Sequence, residues 1–299
     1  MRKAKGSLIM GVLNVTPDSF SDGGLYFDAQ GAIAHGLRLL EEGADIIDVG
    51  PESTSFYTDP QKKPIDAKEQ IKRAVPVIAA LAKRGVAKIS VDTSNAEVAK
   101  AALESGATWI NDQNAGLADL KMPSVMSKAE RVVLMHGFGM GFGVDAGEKA
   151  QYLSVVDELV AFFQKRILAL APHGVTKEKI LIDPGFGFGK GLEDSLELLR
   201  NLHDLLVLDV PVLVGLSRKS FIGKLTNIAV PSERDNASLA GNVMAILAGA
   251  SVIRTHNVKA LAEARCLVDA VQKTVSCSKY LWVEQDDPLA RKRARGCCA

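Results

Sequence analysis

The chain lacks the features that mark several large functional classes. Its four cysteines, Cys266, Cys277, Cys297 and Cys298, all lie near the C-terminus. They show neither the paired spacing of a zinc site nor the density of a disulfide framework, so a reducing, cytoplasmic setting is expected. Charge of one sign is not in excess: 36 basic residues against 35 acidic ones leave +1. That balance asks for no nucleic acid and no membrane as partner. No apolar run is long enough to span a bilayer, and the opening MRKAKGSLIM is too short for a signal peptide. A Ser–His–Asp order, an HExxH helix and a CxxC pair are also missing. DPGFGFGKG (183–191) is glycine-rich but matches neither the dinucleotide nor the phosphate-loop spacing. Hydride transfer through a bound nicotinamide is therefore not expected.

What is present is alternation on a larger scale. Eight short apolar runs read as strands: 7–15, 44–50, 87–93, 108–113, 131–137, 179–185, 210–217 and 250–256. Most lack strict apolar–polar alternation, as parallel strands covered on both faces do. Helical periods separate them. Ile33, Leu37 and Leu40 share a stripe that Gly43 ends. A second period covers 67–85, where Pro76 implies a kink or a late start. Residues 96–105, 148–171, 193–207, 234–249 and 258–273 also read as helices, and 116–129 more weakly. Strand then helix, eight times, predicts one (β/α)8 TIM barrel over 1–283; an open doubly wound sheet has the same periodicity. The basic end, 284–299, reads as a frayed tail. Three stretches, 16–28, 50–66 and 137–147, read as long loops.

In such a barrel, chemistry gathers at the C-terminal ends of the strands. The polar residues there are Asn14, Asp48, Asp92, Asn111, Asp112, His136, Asp183, Ser217, Arg218, Lys219, Arg254 and His256, all expected on one rim. Asp48 reads equally well as structural, and a strand-end aspartate often only caps the next helix. Asp92, Asn111, Asp183 and Lys219 can match the donor and acceptor edge of a fused heteroaromatic ring. An internal ion pair between Lys219 and an aspartate is the plainer alternative. Arg254 offers a fork for phosphate oxygens. His256 can donate a hydrogen bond or cap a helix. Asn14 offers a hard oxygen to Mg²⁺ or serves a turn. Phe186 and Phe188 can wall a flat ligand or fill core, as can Met135, Phe138 and Phe142.

Five strings in order carry a resemblance: GVLNVTPDSFSDGG (11–24), ISVDTSNAEV (89–98), DPGFGFGK (183–190), GLSRKSFIG (215–223) and IRTHNV (253–258). Over about residues 8–272 the chain resembles the dihydropteroate synthase family. The resemblance implies condensation of 6-hydroxymethyl-7,8-dihydropterin diphosphate with 4-aminobenzoate, releasing pyrophosphate, with Mg²⁺ as cofactor. It implies that Asp92, Asn111, Asp183 and Lys219 hold the pterin. Asn14, Arg254 and His256 would bind the diphosphate, with Asn14 towards the metal. Asp92, Lys219, Arg254 and His256 would carry the chemistry. Thr54, Gly187, Phe188 and Ser220 would lie at the aminobenzoate, with Arg218 in support. The first two βα loops, roughly 15–28 and 50–65, would close over the site. A homodimer packed through late helices is implied as well.

Two stretches depart from the family pattern. GPESTSFYTDPQ (50–61) stands where GGESTRPG is usual, with Pro51, Ser55, Phe56 and Tyr57 as replacements. Ser55 cannot supply the charge-assisted bond of an arginine, which raises the prospect of a synthase insensitive to sulfonamides. NDQNAG (111–116) stands where NDIRS or a close variant is usual. Two rival readings remain: a non-catalytic pterin-binding paralogue, and a pterin-binding methyltransferase domain serving a corrinoid partner. Pyrophosphate release separates all three.

Overall fold

The computed structural model describes residues 6–16, 29–52, 65–137 and 152–278. Eight strands alternate with helices along the chain. They are β1 (Leu8–Asn14), β2 (Ile46–Gly50), β3 (Ile89–Asp92), β4 (Trp109–Asp112), β5 (Arg131–Met135), β6 (Ile180–Asp183), β7 (Leu213–Val214) and β8 (Val252–Thr255). All pairings are parallel, in the order β6-β5-β4-β3-β2-β1-β8-β7. A parallel bridge from Ile182 to Val212 closes the ring between β6 and β7. The expected (β/α)8 barrel is what the chain forms, and the open sheet is excluded.

The helices are α1 (Ala29–Glu41), α2 (Ala67–Lys83), α3 (Ala96–Glu104), α4 (Met122–Met126), α5 (Val155–Leu170), α6 (Leu192–Arg200), α7 (Ser220–Thr226), α8 (Asp235–Leu247) and α9 (Val258–Ser278). Short polar side chains start several of them. Asp66 accepts from the Glu69 N–H (2.8 Å), Asn95 from Glu97 and Val98, and Ser154 from Asp157. Each satisfies donors that the first helical turn leaves free. Gly43, at φ +106°, follows the end of α1.

Several expectations need correction. Pro76 does not delay α2, which starts at Ala67. The proline lies on the exposed face, where water can take the orphaned carbonyl, while Ala74, Val77, Ile78 and Leu81 hold the buried face. Only Met122–Met126 of 116–129 is helical, because Asp112 ties the preceding residues into a turn through the Asn114 and Gly116 N–H groups. The helix expected over 193–207 ends at Arg200 and continues as a 3-10 turn, Leu202–Leu208. The described part of 148–171 becomes helical only at Val155, after its Ser154 cap. Of 210–217, only Leu213–Val214 forms a strand, with Val212 adding the single bridge to Ile182. The α7 segment lies in none of the expected helices.

Side chains alternate across each strand, and this alternation builds the site. Met10, Ile46, Trp109, Val133, Leu181, Leu213 and Val252 form one apolar cluster inside the barrel. Two residues further along their strands stand Val12, Asp48, Asn111, Met135, Asp183, Gly215 and Arg254. The inward face thus turns from apolar to polar towards the C-terminal rim. The outward-facing residues pack against the helices in a second, larger core.

Candidate active site

The polar rim encloses a cleft of about 560 Å³. Asn14, Asp92, Asn111, Asp183, Gly187, Phe188, Lys219, Ser220, Arg254 and His256 all line it. Ser217 and Arg218 do too. Thr54 lies outside the described residues, as do Ser55, Phe56, Tyr57, Phe138, Phe142, most of both expected closing loops and the 284–299 tail.

Two strand-end residues are not on this rim. Asp112 follows inward-facing Asn111 and therefore faces out. It is buried and accepts from the Ser94 hydroxyl and the Asn114 and Gly116 N–H groups. Burial is the largest influence on Asp112 and raises its pKa. His136 follows Met135 and likewise turns away, meeting buried Lys190 (Nζ to Nδ1, 3.0 Å). Lys190 also donates to the carbonyls of His136, Gly185 and Phe188, which fastens the glycine-rich turn to the end of β5. Burial lowers the Lys190 pKa to about 7. Gly185 makes this approach possible, since a Cβ there would sit 2.1 Å from the His136 carbonyl oxygen.

Asp48 resolves to the structural reading. It lies beneath the cleft, fully buried, and does not line it. Its Oδ2 accepts from Arg254 Nε (2.7 Å) and Asn111 Nδ2 (3.1 Å). Arg254 Nη2 donates to Asp92 Oδ2 at 2.9 Å. One guanidinium from β8 is therefore clamped by carboxylates from β2 and β3. Burial raises Asp92 to about 7, with Asp48 adding to the rise and Arg254 opposing it. Asp183 accepts from the Gly185 N–H (2.8 Å), and burial raises it to about 6.

The alternative ion pair between Lys219 and an aspartate does not form among the described residues. The ammonium sits 3.8 Å from the centroid of the Phe188 ring, a cation–π contact. Burial and the Arg254 charge lower Lys219 to about 8. Phe188 is thus the wall of the cleft. Phe186 is core, fully buried and stacked on Phe221. Lys219 is placed by the residue before it. Arg218 has φ +62°, a left-handed backbone that its side chain must be held to keep. Its guanidinium makes two bonds to Asp235 (2.7 and 2.9 Å), and Ser238 and Arg234 bind its N–H and carbonyl.

His256 is not a helix cap. Asn257 caps α9, accepting from the Ala260 N–H. The His256 Nδ1 lies 3.0 Å from Ser217 Oγ, and that oxygen accepts from the His256 backbone N–H. When the Ser217 hydroxyl donates its proton to Nδ1, the ring proton sits on Nε2. Burial, with the cations Arg254, Arg218 and Lys219 around it, lowers His256 to about 3, so the ring is neutral.

Sequence reasoning missed Gln113, Glu52 and Val12 as lining residues, and Lys190 as the staple of the glycine turn. Gln113 carried a signal: it stands two residues beyond Asn111, hence on the same face.

The pterin binding enzyme family matches residues 10–256 of the chain. The dihydropteroate synthase of Escherichia coli (strain K12) is 40% identical over 276 residues, which cover 91% of this chain and 94% of that protein. Among solved structures, a Xanthomonas albilineans dihydropteroate synthase with 4-aminobenzoic acid matches with a TM-score of 0.80 at 41% identity, over 90% of this chain and 94% of that one. A Yersinia pestis dihydropteroate synthase in complex with a sulfonamide drug matches with a TM-score of 0.80 at 38% identity, over 91% and 96% of the two chains.

Proposed function

The chain belongs to the dihydropteroate synthase family of pterin-binding enzymes, and from that membership we infer how its barrel mouth divides the work of the reaction. The protein condenses 6-hydroxymethyl-7,8-dihydropterin diphosphate with 4-aminobenzoate to 7,8-dihydropteroate and pyrophosphate. The observation that supports the division is the single cleft into which Asp92, Asn111, Asp183, Lys219, Arg254 and His256 all turn.

Asp92, Asn111, Asp183 and Lys219 take the pterin ring, carboxylates towards its N–H and amino groups and the amide towards a mixed edge. Asn111 Oδ1 is buried without a hydrogen-bond partner among the described residues, an acceptor suited to such a ring. The bond between the exocyclic methylene and the diphosphate oxygen breaks, and its electron pair leaves with the diphosphate. Arg254 and the neutral His256 Nε2–H stabilise that departing charge. The Asp92 and Asp183 carboxylates, which line the same cleft, favour positive charge developing in the ring. The aminobenzoate nitrogen then bonds to the methylene carbon and gives up a proton to the departing diphosphate or to water. Phe188, Gly187 and Ser220 border its seat, and Thr54 belongs to the same subsite by resemblance.

Charge balance supports Mg²⁺. Arg254 is already matched by Asp48 and Asp92 and Arg218 by Asp235, and Lys219 is assigned to the pterin. A diphosphate would enter without compensation. Asn14 is a neutral oxygen donor, which fits an ion otherwise held by water and phosphate. Asn14 would hold it, and when bound it would neutralise charge on the leaving group.

A homodimer is supported by exposed apolar side chains, Met244 and Leu247 on α8 and Leu206 and Val207 in the 3-10 turn. The 3-10 turn and the end of α8 adjoin at Leu206, since a Cβ on Gly249 would be 2.8 Å from Leu206 Cδ1. The exposed free thiol of Cys266 supports a cytoplasmic location. No described helix is long and apolar enough to cross a membrane.

The test is pyrophosphate release from the pterin diphosphate with Mg²⁺, with and without 4-aminobenzoate, and with product identified. Aminobenzoate-dependent release with dihydropteroate formed is expected. Pterin binding without release would overturn the assignment in favour of a non-catalytic binder.

A further inference from the structure

We propose that Gln113 is a positioning residue of this site, holding the Asp92 carboxylate in the orientation that receives the pterin ring. The proposal rests on the placement of the pterin at Asp92 given above. Gln113 follows β4 on its inward face and lines the cleft. Its Nε2 donates to Asp92 Oδ1 at 2.8 Å, while Asp92 Oδ2 accepts from Arg254 Nη2 at 2.9 Å. The carboxylate is therefore gripped at both oxygens, from β4 on one side and β8 on the other. A carboxylate offers about four lone-pair sites, so each oxygen keeps one for a ring N–H.

The backbone of Gln113 is located as firmly as its side chain. A Cβ at Gly137 would lie 2.3 Å from the Gln113 carbonyl oxygen, so the end of β5 seats directly on this residue. The amide is also the unexplained part of NDQNAG, where the family pattern has an isoleucine that cannot donate. An amide donor to a buried carboxylate favours its ionised form.

Asp92 has charged neighbours on several elements. Asp48 on β2, Arg254 on β8 and Lys219 before α7 act on it directly. Asp183 on β6 and Glu52 after β2 line the same cleft. Asn14 and Asn111 are neutral, as is His256. Gln113 can be changed without altering charge or removing a ring contact assigned above.

The experiment compares wild type with Gln113→Met, which keeps length and loses the donor, and Gln113→Ile, a second donorless variant that guards against a folding defect in the first. Two quantities are measured against pH: kcat/KM for the pterin diphosphate, and equilibrium affinity for 6-hydroxymethyl-7,8-dihydropterin without diphosphate. Both variants are expected to move the acid limb up by about one pH unit and to weaken pterin affinity roughly tenfold near pH 6. The KM for 4-aminobenzoate stays within about twofold. Profiles that coincide with wild type, or a loss equal at every pH, would overturn the proposal. Asp92→Asn is the control. If it binds the pterin as well as wild type does, the pterin site itself is misassigned. If Asp92→Asn alone weakens binding, only the role of Gln113 falls.

Discussion

Asp48→Asn isolates the charge beneath the active site. The replacement is isosteric. Its amide oxygen can take the place of Oδ2 and keep accepting from Arg254 Nε and Asn111 Nδ2, now at 2.7 and 3.1 Å. Its NH2 would take the place of Oδ1, which already lacks a hydrogen-bond partner among the described residues. The geometry survives and one negative charge goes. Removing one member of a buried ion pair typically costs about 3–5 kcal/mol. Here Asp92 remains as a second counter-ion to Arg254, so we expect about 2 kcal/mol. At roughly 2 °C per kcal/mol for a chain of this size, the Tm falls by about 4 °C.

The pH profile carries the sharper test. Asp48 is one of the influences that raise Asp92. Without that charge the folded Asp92 pKa drops from about 7. A group that works as a carboxylate loses function as pH falls through its pKa, so the acid limb of kcat/KM moves down, by about one unit. The variant is then less stable and slower at its optimum, yet retains a larger share of its activity at pH 6. The shift is opposite in sign to that expected for Gln113→Met. An acid limb that stays in place or moves upward, measured by steady-state kinetics beside a thermal melt, would refute the clamp as described.

Other outcomes follow from the same geometry. Gly185→Ala sets a Cβ against the His136 carbonyl at φ +71° and should cost roughly 3 kcal/mol, with activity lost; a variant melting within about 2 °C of wild type counts against the close approach. Asp235→Asn releases Arg218, whose ion pair is partly exposed, so stability falls by only about 1 kcal/mol while Lys219 loses its placement and kcat/KM drops about tenfold. Unchanged kinetics would show that the left-handed turn stands without its ion pair. Leu247→Glu is expected to yield monomers by sedimentation velocity, and an unchanged mass would move the interface away from α8. Ser55→Arg, restoring the usual family residue, is expected to tighten sulfonamide inhibition relative to the parent; equal inhibition constants would remove residue 55 from drug discrimination.

The strand–helix order, eight times over, was legible as local periodicity, because covered parallel strands and amphipathic helices each leave a repeat in the chain. So were the strand-end polar residues, and the family strings within them carried the reaction. What the chain alone left open was the direction in which each of those residues turns. Asp112 and His136 read as rim residues beside Asn111 and Asp183, yet a one-residue offset in a period of two sends them outward. Asp48 and Asp92 look alike in sequence. Only the closed ring, which brings β8 beside β1 and hence Arg254 across to β2 and β3, puts one under the cleft and the other on its wall. Lys219 found an aromatic face instead of a carboxylate, because the turn through Gly185 and Gly187 lays Phe188 over it. Local sequence determined which groups reach the rim. Barrel closure decided which of them meet, because those meetings join residues up to 206 positions apart that no local pattern relates.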